Sequence, residues 1–549
     1  MSKTHSAPPE ISAEQVFREY EQGVAFKRSL GKHGMTEQNR INERFFFGDQ
    51  WNGVNCGDNR PLVRHNVIKR IGDYKLAVVG STPPTVGFSA EGVPDTAVSR
   101  RQIALYRDSI REGGEAVTLT ADEEAQMAAG VLTDYFDVTA ERLSLSTLGQ
   151  KALRNAYITG TGVLYTYWDD GVRTGQYADI NRRVPIRGDI AAEVLDIEQV
   201  TVGDPYLEDI QQQPYVILSQ QKPLDELRRL VKRYGGDART VRGDDGSEEP
   251  GAHATLLTRF WKTRNEDGTV CTVHAVQACR DGIVRPAWDM GIRLYPLAMF
   301  RWDEHRGRAY GESEIPYLIP NQIAINRTVS AGVWAMMMMG MPIMLVNGDL
   351  VTQPVSNDPG QVIAVYGSDE ETQNAIRYVT PPAFSAQMDQ TVENLVSNTM
   401  SQAGVSTTLL GDVKPDNASA ILAIRESSLM PLQLIQNRYF GFIKEIAFIW
   451  AEFWLTMYGN RSLKIRRPDG VWYMPFDPVR FRDLLPDICV EVGPGSQYSE
   501  TRTVETLDNL YQKGVLTAKQ YLSRLPQGYV PQLESLLREV EDNAPQPAR

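Results

Sequence analysis

The pattern of apolar and polar positions divides the chain into a helical start, a strand-rich middle and a second helical part. In the first 158 residues the apolar positions recur at helical spacing, and capping-box patterns stand at Ser12 with Gln15 and at Thr120 with Glu123. Between positions 162 and 300, short runs of β-branched and aromatic residues predict antiparallel strands. Together these patterns predict an α+β fold.

Beyond position 306 the pattern predicts an unusual order of elements. A helix, a small β block, a second helix, a polar loop, a very long helix and two final strands follow one another at residues 313–341, 343–380, 385–402, 404–419, 420–458 and 463–492. At about 1.5 Å per residue the long helix measures about 58 Å, and Pro431 is expected to kink it. Within the β block we expect strands at residues 343–346, 362–366 and 376–380.

One stretch is apolar enough to be considered as a membrane-spanning helix. The sequence VSAGVWAMMMMGMPIMLV, from Val329 to Val346, has about the length of a membrane span. It contains Gly332, Gly340 and Pro342, and a polar helical segment leads into it. We therefore favour a helix buried in a core or between subunits, with a membrane-associated or pore-forming protein as the alternative.

Charge and motifs exclude several classes of function. With 57 basic and 69 acidic residues the net charge is −12, which argues against a protein that grips nucleic acid tightly. Four scattered cysteines without a CxxC pair argue against a disulfide scaffold or structural zinc. No P-loop, HExxH or GxSxG sequence is present, and Asp303, Glu304 and His305 are interpreted as an ion-pair network. We expect no catalytic residue, no cofactor and no metal ion; a DNA-packaging enzyme remains a second alternative.

Three segments carry a resemblance to a known family. They are FFFGDQW followed by RPLVRHNVIKRIGDYKLAVVGSTPP, then GRAYGESEIPYLIPNQIAINRTVS, then SQAGVSTTLLGDVKPDNASA. With the order of elements above, they resemble the portal (head-to-tail connector) proteins of tailed double-stranded DNA bacteriophages, from about Arg40 to Leu525. The chain departs from the family in the Gly- and Asp-rich segment at residues 235–251 and in a short C-terminal region.

The resemblance implies a portal fold with six parts, assembled as a ring. It consists of an α/β wing, a helical stem, a small α/β clip, a tunnel loop, a long helix and a helical crown. Their implied ranges are 1–306 with 459–495 returning to the wing, 307–341 and 385–402 for the stem, 342–384 for the clip, 403–418 for the tunnel loop, 419–458 for the long helix, 496–543 for the crown and 544–549 for a disordered tail.

The resemblance also implies sites and partners. The ring, expected to be a dodecamer, forms the channel at one capsid vertex through which viral double-stranded DNA is packaged and ejected, with transient contacts that read no sequence. It docks the terminase motor, the major capsid protein and later the head-tail adaptor or tail proteins, in the virion and in the host cytoplasm during assembly, without a membrane. The candidate DNA-channel residues are Thr407, Thr408, Asp412, Val413, Lys414 and Asp416. The candidate oligomer-interface residues are Trp334, Met336, Met337, Met338, Met339 and Met341.

Overall fold

The computed structural model is a mixed assembly of helices and sheets. Helices make up 50% and strands 24% of it, so the α+β class expected from the sequence is confirmed. The structure describes residues 11–53, 60–81, 84–90, 102–103, 119–179, 184–247, 249, 251–265, 268–340, 343–351, 353–356, 362–373, 375–379, 387–405, 418–459, 461–467, 470–476, 478, 488–494, 507–513 and 521.

Three helices open the described chain, and capping side chains set where two of them begin. The Ser12 hydroxyl accepts a hydrogen bond from the Gln15 amide at 3.2 Å, as the sequence pattern indicates. The side chain of Asn66 accepts one from the Lys69 amide at 3.0 Å, so the third helix begins later than the predicted start near position 62. The helices are α1 (Ala13–Ser29), α2 (Met35–Phe47) and α3 (Val67–Ser81).

The predicted helical region that follows is two helices. Thr120 and Glu123 form both hydrogen bonds of a capping box, which confirms the start of α4. Ser144 then adopts a left-handed conformation with φ of +52°, and this residue separates the two helices because a left-handed residue cannot continue a right-handed helix. They are α4 (Ala121–Leu143) and α5 (Leu145–Thr159).

Antiparallel sheets form the middle of the chain, as predicted. In a three-stranded sheet, β2 (Thr161–Asp179) lies between β3 (Val184–Leu195) and β9 (Leu297–Arg301). A five-stranded sheet follows chain order, and α6 (Leu224–Arg233) packs beside it. Its strands are β4 (Val200–Val202), β5 (Tyr215–Pro223), β6 (His253–Arg264), β7 (Val270–Cys279) and β8 (Gly282–Asp289).

Two features of the second sheet differ from the expectation. The sequence analysis misses β8, an edge strand that contains Pro286; proline is compatible with an edge strand but weakens its sequence signal. The polar segment at residues 235–251 is also more structured than its composition indicates. Val241 is fully buried, and the Asp244 carboxylate accepts hydrogen bonds from the amide and hydroxyl of Thr255.

The last described elements follow the predicted order closely. They are α7 (Ile315–Gly340), β10 (Ile343–Val346), α8 (Asp369–Gln373), β11 (Ile376–Val379), α9 (Gln387–Gln402), α10 (Ala418–Met457), β12 (Arg461–Arg467), β13 (Gly470–Phe476) and β14 (Ile488–Pro494). The strand predicted at residues 362–366 is wrong: these residues have no regular structure, and β10 pairs directly with β11. β14 pairs along its whole length with β1 (Pro84–Ala90). Most of residues 496–543 lie outside the described part.

The main core forms around the second half of α10. Trp450, Phe453 and Trp454 of this helix are fully buried, and their rings contact aromatic residues of α4, such as Tyr135 and Phe136. The apolar surface of this half of the helix is therefore covered within one copy of the chain. Subunit packing is therefore not needed to bury these aromatic side chains.

Candidate functional site

The residues expected to line a channel fall outside the described part of the structure. Residues 406–417 contain all six of them: Thr407, Thr408, Asp412, Val413, Lys414 and Asp416. Met341 of the interface group lies outside it as well. The other five interface candidates are on α7, so the site is built from α7, β10, α8, β11 and α9, called here the 315–402 unit.

The first half of α7 is fixed to the core by a row of buried polar side chains. Gln322, Asn326 and Ser330, the polar ladder, recur every four residues and so share one face of the helix. Their side-chain oxygens accept hydrogen bonds from backbone amides of residues 63–68, which lead into α3 and form its first turn, at distances between 2.9 and 3.2 Å. The Gln322 amide group also donates to the His65 carbonyl at 2.7 Å. The ladder therefore holds the start of α3 and the residues before it against α7.

A buried ion pair strengthens the same attachment. The Lys75 ammonium of α3 lies 2.6 and 2.8 Å from the two carboxylate oxygens of Glu314, and the two side chains are only 7% and 19% exposed. Next to it the Ser313 hydroxyl donates to the Tyr157 carbonyl and accepts from the Ile315 amide. Together these contacts define the position and direction in which α7 leaves the core.

The second half of α7 is different, because its methionines face solvent in the single chain. Met336, Met337, Met338 and Met339 are 52%, 47%, 45% and 36% exposed, whereas Trp334 is half-buried. Four consecutive residues point to all sides of a helix, since each residue turns by about 100°. No single contact with the rest of the chain can cover them all.

Exposed apolar side chains are concentrated in this part of the chain. Of the seventeen large apolar side chains that are exposed in the described residues, nine lie between positions 336 and 379, namely Met336, Met337, Met338, Met339, Leu345, Val346, Val362, Tyr366 and Val379. Large apolar side chains concentrated on an exposed surface are typical of sites that contact other molecules. The 315–402 unit is thus the described region best suited to contact another molecule.

The unit is also acidic. Residues 328–348 carry no charge, and the whole unit, residues 315–402, holds seven acidic side chains and two basic side chains. The resulting net charge of −5 is a large part of the −12 of the whole chain. The unit therefore combines exposed apolar surface with negative charge, which repels nucleic acid but suits a protein partner.

The long helix α10 is fixed to both sheets through a buried acid. The Glu445 carboxylate accepts hydrogen bonds from the Gln211 side chain at 3.1 Å and from the Met299 amide at 3.3 Å. The Lys262 ammonium donates to the other polar atom of the same Gln211 side chain at 3.1 Å. Burial raises the pKa of Glu445 to about 7 and lowers the pKa of Lys262 to about 8. This network joins α10 to β6 and β9.

One other charged cluster has a structural role. Arg438 of α10 lies 3.6 Å from Asp303 and 3.8 Å from Glu304, and Arg301 lies 2.9 Å from Glu304, which matches the ion-pair network expected there. In the described residues, no group of three or more His, Cys, Asp or Glu side chains is placed to hold a metal ion. Nor does any described helix combine the length and apolar character needed to cross a membrane.

The polar ladder is the part of the site that sequence reasoning missed. Its signal is a polar residue at every fourth position of an otherwise apolar helix, but its hydrogen-bond partners lie more than 250 positions away. A scan against models of known protein families finds no match for this chain, and a search of curated proteins finds none either. The functional argument therefore comes from the residues themselves.

Proposed function

We propose that this chain is a portal protein of a tailed double-stranded DNA bacteriophage. Copies of it form a ring at one capsid vertex, and DNA passes through the ring during packaging and ejection. The proposal includes the terminase, the major capsid protein and head-tail adaptor or tail proteins as partners, because the same ring faces the capsid, the motor and the tail in turn.

The observation that carries the proposal is the 315–402 unit. The unit consists of a long helix anchored at one end, a two-stranded hairpin and a returning helix. It presents nine exposed apolar side chains in a stretch that is first uncharged and then acidic. Packing against further copies covers such surface. Methionine suits this role because its flexible side chain adapts to irregular neighbours.

The negative charge of the unit favours a surface along which DNA slides over a surface that binds DNA. DNA carries one negative charge per about 1.7 Å of its axis, and a basic wall would hold it by displacing counterions. A unit with two basic and seven acidic side chains has little capacity for such contacts. An acidic channel wall leaves the duplex free to slide.

Electron microscopy of the purified chain tests this function. We expect class averages of a closed ring with an axial channel wide enough for duplex DNA. Particles that remain single chains, or that form open filaments, would overturn the proposal.

The two alternatives have tests of their own. A pore-forming protein should partition into lipid vesicles, whereas a portal should remain in the aqueous fraction. A packaging enzyme should hydrolyse ATP or cut DNA, with turnover lost in a variant such as Asp303→Ala. We expect no turnover, since Asp303 is exposed and pairs with Arg438.

A further inference from the structure

A basic patch lies beside the first half of α7. It consists of Arg60, Arg64, Lys69 and Arg70, all exposed, together with the exposed apolar side chains of Phe47 and Leu62. Residues 60–73 hold four basic side chains and one acid in a chain whose net charge is −12. Among the described residues, the patch makes one ion pair, from Lys69 to Asp73 at 3.8 Å.

The polar ladder determines where this patch lies along the axis of α7. Because the Val63 amide donates to Ser330 and the His65 amide to Asn326, the side chain of Arg64 lies at the level of residues 326–330. The backbone here is held at several points, so the basic side chains stand on a rigid support.

An acidic face lies at the same height on a different side of α7. The Asn321 side chain donates to Gln402, the last residue of α9, at 3.1 Å, so α9 packs antiparallel to α7. Both helices rise about 1.5 Å per residue, which places Glu393, nine residues before Gln402, level with Ser330. Asp389 and Glu393 are exposed, and α9 contains no basic residue.

The basic patch and the acidic face point in different directions. Asn321 faces α9 and Gln322 faces the segment that carries the patch, and consecutive residues of a helix are about 100° apart. In one copy the two surfaces therefore lie on different sides of α7. A neighbouring copy placed side by side, at the same height, can bring its acidic face against the basic patch.

We propose that the basic patch of one copy docks against the acidic face of α9 in the next copy. The inference rests on the proposed ring and specifies which surfaces close it. The contact is head-to-tail, because each copy offers one surface on each side, and such contacts form a ring when the rotation from copy to copy closes. The exposed stretch Met336–Met339 begins about two helical turns beyond Ser330. In the neighbouring copy this stretch offers apolar surface to Phe47 and Leu62.

Charge reversal on each side tests the docking. One variant carries Arg60→Glu with Arg64→Glu, the second carries Asp389→Lys with Glu393→Lys, and the third combines all four changes. The matched control is Arg229→Glu with Arg233→Glu, which reverses two exposed arginines of α6. Circular dichroism verifies the fold of each variant, and native mass spectrometry measures assembly over a range of salt concentrations.

We expect each single-sided reversal to raise the concentration for half-assembly by about tenfold or more, as for like charges brought together at an interface. The variant with all four substitutions should restore assembly, and the control variant should assemble like the unaltered chain. Added salt should weaken assembly of the unaltered chain. Rings that form equally well in all variants at every salt concentration would overturn the docking and leave the proposed function standing. So would intact rings in which Arg60→Glu with Arg64→Glu only weakens binding of duplex DNA. An unaltered chain that never assembles would instead overturn the proposed function.

Discussion

At the scale of single residues, buried charges determine how firmly the 315–402 unit is attached. Lys75 and Glu314 are the clearest case, because both side chains are largely buried and lie within 2.8 Å of each other. Lys75→Met leaves the Glu314 carboxylate buried without its partner, which should lower the free energy of unfolding by about 3 kcal/mol. Urea unfolding followed by tryptophan fluorescence measures the change.

A matched exposed pair separates burial from charge in that experiment. Lys69 and Asp73 lie 3.8 Å apart with about half of each side chain exposed, so Lys69→Met should cost less than about 1 kcal/mol. Adding Glu314→Gln to Lys75→Met should recover part of the loss, since no unpaired charge remains. Equal losses from Lys75→Met and Lys69→Met would contradict this account of the attachment.

Glu445 should make stability depend on pH. Because burial raises its pKa to about 7, the folded chain keeps a proton that the unfolded chain releases near the ordinary value. The contribution of Glu445 to stability should therefore fall as pH rises from about 5 to about 8. Glu445→Gln should remove up to about 3 kcal/mol of that fall, because its side chain does not ionise.

Urea midpoints at several pH values between 5 and 8 measure this effect, at one protein concentration throughout. Glu43→Gln is a suitable control, since Glu43 is an exposed acid on α2 and should leave the pH profile unchanged. An unchanged profile in Glu445→Gln would show that the carboxyl is ionised throughout this range in the folded chain.

At the scale of elements, the second half of α7 is the segment that we expect assembly to bury. Met336 and Met338 are about half exposed in the single chain, so Met336→Gln with Met338→Gln should leave the fold of the chain intact. It should weaken assembly, because polar side chains lose most of the free energy gained when the methionines are buried.

Met336→Leu with Met338→Leu is the matched control, since it keeps the apolar surface. Native mass spectra should show smaller oligomers for the glutamine variant and full assembly for the leucine variant. Full assembly of both variants would exclude these methionines from the interface.

Residues 406–417, which the resemblance places in a tunnel loop, offer a second test at this scale, argued from their sequence. They include two acids and one base, so the proposed channel should attract DNA only weakly. Asp412→Lys with Asp416→Lys should preserve the ring but slow packaging or ejection, because each copy then attracts phosphate. The slowing should diminish as salt rises; unaltered DNA passage at every salt concentration would place the loop away from the channel.

The elements of the 315–402 unit show what sequence patterns can and cannot predict. The bounds of α7 and α9 agree with the prediction to within two residues, because helical periodicity is local and Pro342 stops α7. The strand expected at residues 362–366 is wrong because a strand also needs a partner, and β10 pairs with β11. The polar ladder was missed for the same reason, as its partners lie far away along the chain.

At the scale of the whole molecule, two kinds of apolar surface must be distinguished. The aromatic half of α10 is buried within one chain. The methionine half of α7 remains exposed. The apolar surface that assembly would cover therefore lies mainly in the 315–402 unit, whose negative charge also fits a channel that does not hold DNA.

Native mass spectrometry of the unaltered chain at micromolar concentration tests this account most directly. The account predicts a closed assembly of fixed size, expected at twelve times the mass of the 61.5 kDa chain, with no open-ended series of larger species. A stable monomer at that concentration would contradict it, because the exposed surface of α7 would then have no second copy to cover it.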